Sequence, residues 1–247
     1  MDGRRRWALG LAAIAVVAAF SYYLLYAPRE CTLRAESEHF RFYFDGFSLD
    51  GLQPIIDSLE ENFDRIVADL GVGSMPVVRV KVWVSKAGFY REMERLLGVR
   101  YPGADGYVYG SGEFHVMFVD DVAVKAVHEF AHVVCLKLNP TFGNNPRWLW
   151  EAVALYEAGQ LIYPDRLGYI VDGDYPSMEE LDSPYGTQGN RIYSVGYTLA
   201  EYIVDVWGMG SLRDLVRTNG DLESVLGVGA REFELGWHAW VEDKYLS

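Results

Sequence analysis

His128, Glu129 and His132 stand together in the stretch VKAVHEFAHVVCLKL, residues 124–138. On a helix, side chains four positions apart lie one above the other. Two imidazoles so placed reach one zinc ion, and a glutamate next to the first points near the open side of the metal, where it can take a proton from water. With residues 121–138 set at about 100° per residue, Asp121, Lys125, His128, Glu129 and His132 fall within an arc of about 100°. The rest of that surface is Val, Ala, Phe, Leu and Cys, with Lys137 in the last turn. The pattern is a helix buried nearly all round with one polar stripe. A core helix that tolerates a few polar groups has the same pattern, so a third ligand has to decide. A two-histidine site needs one more protein donor and leaves its fourth position to water.

The stretch NNPRWLWEAVALYEAG, residues 144–159, supplies that donor. Asn145 reads as an N-cap and Pro146 as a first-turn residue, and Gly159 ends the helix. Between them only Arg147, Glu151 and Glu157 break an apolar run. Glu157 lies well round the helix from Glu151, so both cannot face one metal. A carboxylate on a buried helix must be paired or metal-bound. Glu151 comes 19 positions after His132, enough for a helix end, a turn and one returning turn of helix.

The elements that must position these residues follow an α+β order. HFRFYFD (39–45) alternates as a strand, a helix runs from about Leu49 to Gly71, and VVRVKVWV (77–84) alternates strictly. That alternation puts Val78, Val80, Val82 and Val84 on one face, with Arg79, Lys81 and Trp83 on the other. A short helix spans Lys86 to Leu97, and 106–119 reads as two strands around Gly110–Gly112. From Asp121 on the pattern is helical: 121–138, 146–158, about 176–182, 190–207, 210–218 and 230–245. The expectation is an N-terminal mixed β-sheet with helices, followed by a helical C-terminal subdomain, with the zinc site between them.

An H-E-x-x-H followed by 18 residues and a glutamate, inside a W-L-x-E-A-x-A-x-Y segment, resembles the gluzincin metallopeptidases, to which thermolysin and the aminopeptidase N group belong. The likeness is greatest to small bacterial "peptidase MA-like" proteins. It covers roughly residues 36–245, including SEHFRFYFD, PRWLWEAVALYEAG and YPSMEELD. It implies that His128, His132 and Glu151 hold one zinc ion and that Glu129 is the general base. Glu-Ala replaces the frequent Glu-Gly at 151–152, which leaves the ligand in place. Leu155 occupies the position where thermolysin has an acid that orients a ligand. Asp120, Asp121 and backbone carbonyls are then the candidates for holding the imidazoles. Tyr193-Ser-Val-Gly196 resembles the Tyr-x-x-Gly whose phenol bonds the oxyanion in aminopeptidase-like gluzincins, with Gly196 allowing close helix approach. Against that stands a chain of 17 tyrosines; Tyr197 is the second candidate. The signature G-A-M-E-N, which anchors a free N-terminus, is absent, and Glu113 in GSGEF is a poor substitute. The resemblance therefore leans to an endopeptidase.

His39, His115 and His238 have no partner at ligand spacing. His115 lies on the strand before the HEFAH helix, and in gluzincins an edge strand there pairs with the substrate backbone.

Residues 7–26, WALGLAAIAVVAAFSYYLLY, carry no charge over 20 positions, enough to span a bilayer. Arg4, Arg5 and Arg6 precede them, and an aromatic belt of Trp7, Tyr22, Tyr23 and Tyr26 flanks them. The bulky end favours an uncleaved anchor over a signal peptide. The expected organisation is a cytoplasmic basic tail (1–6), a transmembrane helix (7–26), a linker (27–35) and a peptidase domain (36–247) outside the cytoplasm. The net charge of −13 argues against nucleic-acid binding. Two cysteines, Cys31 and Cys135, leave a disulfide open, with Cys135 read as a small core hydrophobe. The reading is a membrane-anchored zinc metallopeptidase acting on peptides or proteins. The alternatives are a catalytically silent peptidase-like module that binds partner proteins, and a zinc-stabilised structural protein.

Overall fold

Alternating apolar residues build a five-stranded sheet with one face fully buried and the other covered in part. The computed structural model describes residues 31–247 except Phe47 and Thr187. Strands β1 (Thr32–Glu36), β2 (Phe40–Phe44), β3 (Val78–Trp83), β4 (Gly106–Val108) and β5 (Glu113–Met117) are interleaved with helices α1 (Gln53–Asp69) and α2 (Lys86–Leu97). The strand order is β1-β2-β3-β5-β4. The three central strands run parallel and the two outer ones antiparallel. The sheet is therefore mixed, as the alternation and the order of elements predict.

On one face Phe40, Phe42, Val78, Val80, Val82, Phe114 and Val116 join the main core with Ile55, Leu59, Ile66 and Phe130 of the helices beyond. On the other face Trp83, Tyr107 and Met117 meet Phe89, Tyr90 and Met93 of α2. Trp83 is thus buried, although alternation alone puts it with Arg79 and Lys81. Val84 is 53% exposed rather than continuing the valine face. The chain leaves the strand there, and the Asp45 carboxylate takes the backbone N–H of Val84 and Ser85 at 2.5 and 3.1 Å.

The helical part follows as α3 (Val122–Leu138), α4 (Arg147–Glu157), α5 (Gly168–Val171), α6 (Met178–Leu181), α7 (Ile192–Trp207), α8 (Met209–Arg217), α9 (Leu222–Leu226) and α10 (Ala230–Val241), with a π-helical turn over Glu242–Leu246. The short α5 and α9 carry too few residues for a periodic signal. Residues 31–247 form one compact unit. The expected linker at 27–35 is corrected at its C-terminal end, because Thr32–Glu36 pairs with β2 as an edge strand. The expected basic tail and anchor, 1–26, lie outside the described residues. Among those described, no helix is long and apolar enough to cross a membrane.

Three local devices set α3 and α4. Residues 126–135 of α3 are buried without a break, so the helix is fixed by packing on every side. Helix α4 starts at Arg147 with Pro146 extended at the N-cap position. Asn145 does not cap it. Asp182, from the turn after α6, accepts from the Arg147 and Trp148 N–H groups at 2.7 and 3.5 Å. Gly159 (φ 65°) ends the helix as expected, with Gln160 N–H bonded back to the Leu155 carbonyl at 2.9 Å.

Candidate metal centre

Helices α3 and α4 bring His128, His132 and Glu151 together, all buried. One donor atom from each lies within 4.8 Å of the others. Nε2 of His128 and Nε2 of His132 stand 3.4 and 3.8 Å from the same Glu151 oxygen, Oε2. Donors held about 2.0–2.2 Å from one tetrahedral zinc ion lie about 3.3 Å apart. Two imidazole nitrogens and a carboxylate oxygen at this spacing fit one ion and leave a fourth position open. The free thiols do not contribute: Cys135 is buried in the core and Cys31 lies at the start of β1.

The rings are held by groups the sequence does not announce. The Nδ1 of His128 meets Gln160 Oε1 at 2.7 Å. An amide oxygen accepts, so Nδ1 carries a proton, and Nε2, the nitrogen facing Glu151, is the one a metal would take. Gln160 reaches this place because the αL turn at Gly159 folds the chain back over the end of α4. Asp120 and Asp121 do not hold a ligand ring; Asp121 pairs with Lys125 at 3.1 Å. The ring of His132 stacks on Trp150 at 3.9 Å and 6°, and its Nδ1 is buried with no hydrogen-bond partner among the described residues. Burial, reinforced by the neighbouring His128, holds the His132 pKa well below its ordinary value, which keeps the imidazole neutral as a ligand must be.

Glu129 is 8% exposed and stands outside the donor set. Burial pushes its carboxyl up to about 8, with His128 opposing and Glu151 adding to the rise. The backbone of β4 lies against it: a Cβ on Gly106 would lie 2.2 Å from Glu129 Oε1. Only glycine lets the edge strand come this close to the carboxylate.

Tyr193 also reaches the site. Its hydroxyl donates to Glu151 Oε1 at 3.2 Å, the oxygen not facing the histidines. Close approach of α7 to α4 makes this possible, since a Cβ at Gly196 would fall 2.6 Å from Leu155 and 3.3 Å from the Ala152 Cα. Burial first, and then the charge of Glu151, raises the Tyr193 pKa, so the phenol stays a donor. Tyr197 packs on Tyr156 instead, with ring centroids 5.3 Å apart.

Glu157 faces away from the cluster and pairs with Arg65 of α1 at 2.5 Å. His115 is not on an edge strand, because β5 lies between β3 and β4; the edge is β4. Trp83 Nε1 and the Tyr107 hydroxyl converge on its Nδ1 at 3.2 and 2.7 Å. Indole N–H can only donate, so Nδ1 accepts and Nε2–H donates to Glu113 Oε1 at 2.8 Å. Burial alone would raise the Glu113 pKa, but His115, Arg79 and Lys81 outweigh it and bring it to about 2. Glu113 is thus committed to the protein and is not free for a substrate amine. His39 pairs with Glu60 at 2.6 Å, and His238 stacks on Tyr175.

What fold and site define is an α+β chain with a buried two-histidine, one-carboxylate cluster able to hold a metal ion. No family model matches the chain, and no curated protein matches it either.

Proposed function

We propose that this chain is a zinc-dependent peptidase of gluzincin type, anchored to the membrane by residues 7–26 with its catalytic part outside the cytoplasm. The observation that carries this reading is Glu129. A buried carboxylate beside a candidate metal ligand, outside the donor set and pressed against an edge strand, is the arrangement needed for proton transfer next to a bound peptide.

His128, His132 and Glu151 would hold the ion. Bound zinc supplies Lewis-acid chemistry, polarising a carbonyl and acidifying water. Glu129 accepts the proton of the attacking water and delivers it to the leaving amine. The free side of β4 offers backbone groups to an extended peptide by strand addition, in contact with Glu129 through Gly106. Tyr193 holds Glu151 in the resting site and turns to the oxyanion as charge develops there. Gln160 keeps His128 in the tautomer whose Nε2 faces inward. The engagement of Glu113 with His115, Arg79 and Lys81 supports internal cleavage over recognition of a free amino terminus.

Digestion of a peptide library tests the activity. Chelator-sensitive cleavage at internal bonds is expected, and zinc binding without cleavage would favour the silent binding module. In the same assay Tyr193→Phe is expected to keep zinc and fold while losing about 2.7–4 kcal/mol of transition-state stabilisation, as for other oxyanion donors. An unchanged rate would leave Tyr193 as a packing residue. Added protease on intact spheroplasts checks the placement, and a fully protected domain would put it in the cytoplasm.

A further inference from the structure

A cleft of about 550 Å³ opens between the start of α2 and the loop after it, lined by Lys86, Ala87, Tyr90, Arg100, Pro102 and Gly103. Its floor is the buried ring of Tyr90. Lys86 Nζ and Arg100 Cζ lie over that ring at 5.8 and 5.0 Å, within cation–π range. Both cations are exposed. The chain carries a net charge of −13, and Arg65, Arg79, Lys81, Lys125 and Lys244 are each paired with a carboxylate. Among the described residues no carboxylate forms an ion pair with Lys86 or Arg100, and the ring beneath them offers no full negative charge.

The cleft has a fixed wall. The Tyr90 hydroxyl accepts from Gly103 N–H at 2.8 Å and donates to the Ala104 carbonyl at 3.3 Å. Ala104 N–H closes a turn on the Tyr101 carbonyl at 3.1 Å. Gly103 holds φ +90°, and a Cβ there would come 3.3 Å from the Tyr185 hydroxyl. This loop runs directly into β4, whose first residue, Gly106, touches Glu129.

A row of rings runs from Tyr101, between the lining residues Arg100 and Pro102, toward the metal cluster. Tyr101 meets Tyr185 at 6.0 Å, and Tyr185 meets Tyr193 at 6.4 Å. Tyr193 bonds Glu151.

We propose that the Lys86–Arg100 cleft is an anion subsite of the substrate groove, which takes a carboxylate of the bound peptide at a distance from the bond cleaved. The inference rests on the peptidase reading for its substrate. The loop that lines the cleft leads into β4, whose Gly106 lies against Glu129, so the carboxylate is read on the same side of the sheet edge but away from the scissile bond. That carboxylate is an Asp or Glu side chain or the peptide's own C-terminus, since two exposed cations over an aromatic floor read charge rather than shape.

The test compares peptides that differ only by Glu or Gln at each position around one cleaved bond, each made with a free and with an amidated C-terminus. The 247-residue chain and its Lys86→Ala, Arg100→Ala and doubly substituted forms are assayed at low and high salt. The wild-type chain is expected to favour Glu over Gln about fivefold in kcat/KM at one position away from the scissile bond, as exposed charge pairs allow. The preference should shrink in each single variant, vanish in the double variant and weaken with salt. Preference that follows the free C-terminus assigns the α-carboxylate, and preference that follows Glu assigns the side chain. An equal Glu-to-Gln ratio in the wild-type and double-variant chains overturns the subsite while leaving peptidase activity standing. If no peptide is cleaved, binding of the same labelled peptides is read by anisotropy. Charge-selective binding lost in the double variant then keeps the subsite without the peptidase reading, and binding without charge selectivity overturns the subsite as well.

Discussion

Zinc is expected at one ion per chain, and to fall to near zero when His128, His132 or Glu151 is replaced by alanine. All three donors are buried and come from only two helices, α3 and α4, which the surrounding core holds in place. Removing one leaves two donors, short of the three protein ligands of a zinc site that keeps one position open. The loss also has a stability readout. Ligand at a thousandfold excess over its Kd stabilises the folded chain by about 4.1 kcal/mol, so zinc should raise the wild-type melting temperature and leave the three variants unmoved. Melting of the zinc-free proteins separates this from misfolding. Gln160→Ala should fall between, about 10–100-fold weaker for zinc, because it frees the His128 ring without removing a donor. Full occupancy in Glu151→Ala would remove Glu151 from the site.

The donors were legible in the sequence because their signal is local and periodic. His128 and His132 share a helix at a spacing that must superpose them, and Glu151 is one of only two carboxylates on an apolar helix, the other lying well round from it. The mixed sheet was legible for the same reason, since β2 and β3 alternate between a buried face and one that stays open at Arg41 and Arg79. The devices that tune the site depend on contacts between residues far apart in sequence. Gln160 follows a helix and looks like loop; only the αL turn at Gly159 brings it to His128. Asp182 caps α4 from 35 residues away, and no pattern around Asn145 reveals that. The edge position of β4 depends on strand order, which sequence proximity to the HEFAH helix does not give, so that proximity points to His115 on the neighbouring strand instead. Alternation puts Trp83 on the polar face because it records two faces without saying that α2 covers part of the second. Tyr193 lay between these cases: its Tyr-x-x-Gly spacing was visible, but only the approach of α7 at Gly196 brings its hydroxyl to Glu151.

Glu129→Gln is expected to keep zinc and fold while losing about 10²–10⁴ in turnover, the range for a positioned general base. The substitution is nearly isosteric. The contact with Gly106 survives, and the donor set of His128, His132 and Glu151 is untouched. What changes is basicity, since an amide cannot accept the proton of water at neutral pH. Burial disfavours the Glu129 carboxylate and raises its pKa to about 8, whereas a divalent cation in the adjacent cluster favours the charged form. The opposing pulls suit a group that must accept a proton and then release it. The two measurements divide the outcomes cleanly. Zinc retained with activity lost assigns Glu129 to proton transfer. Loss of zinc as well would make Glu129 part of the donor set. Zinc and wild-type cleavage both retained would show that hydrolysis does not pass through this carboxylate, and the mechanism proposed for the site would be wrong.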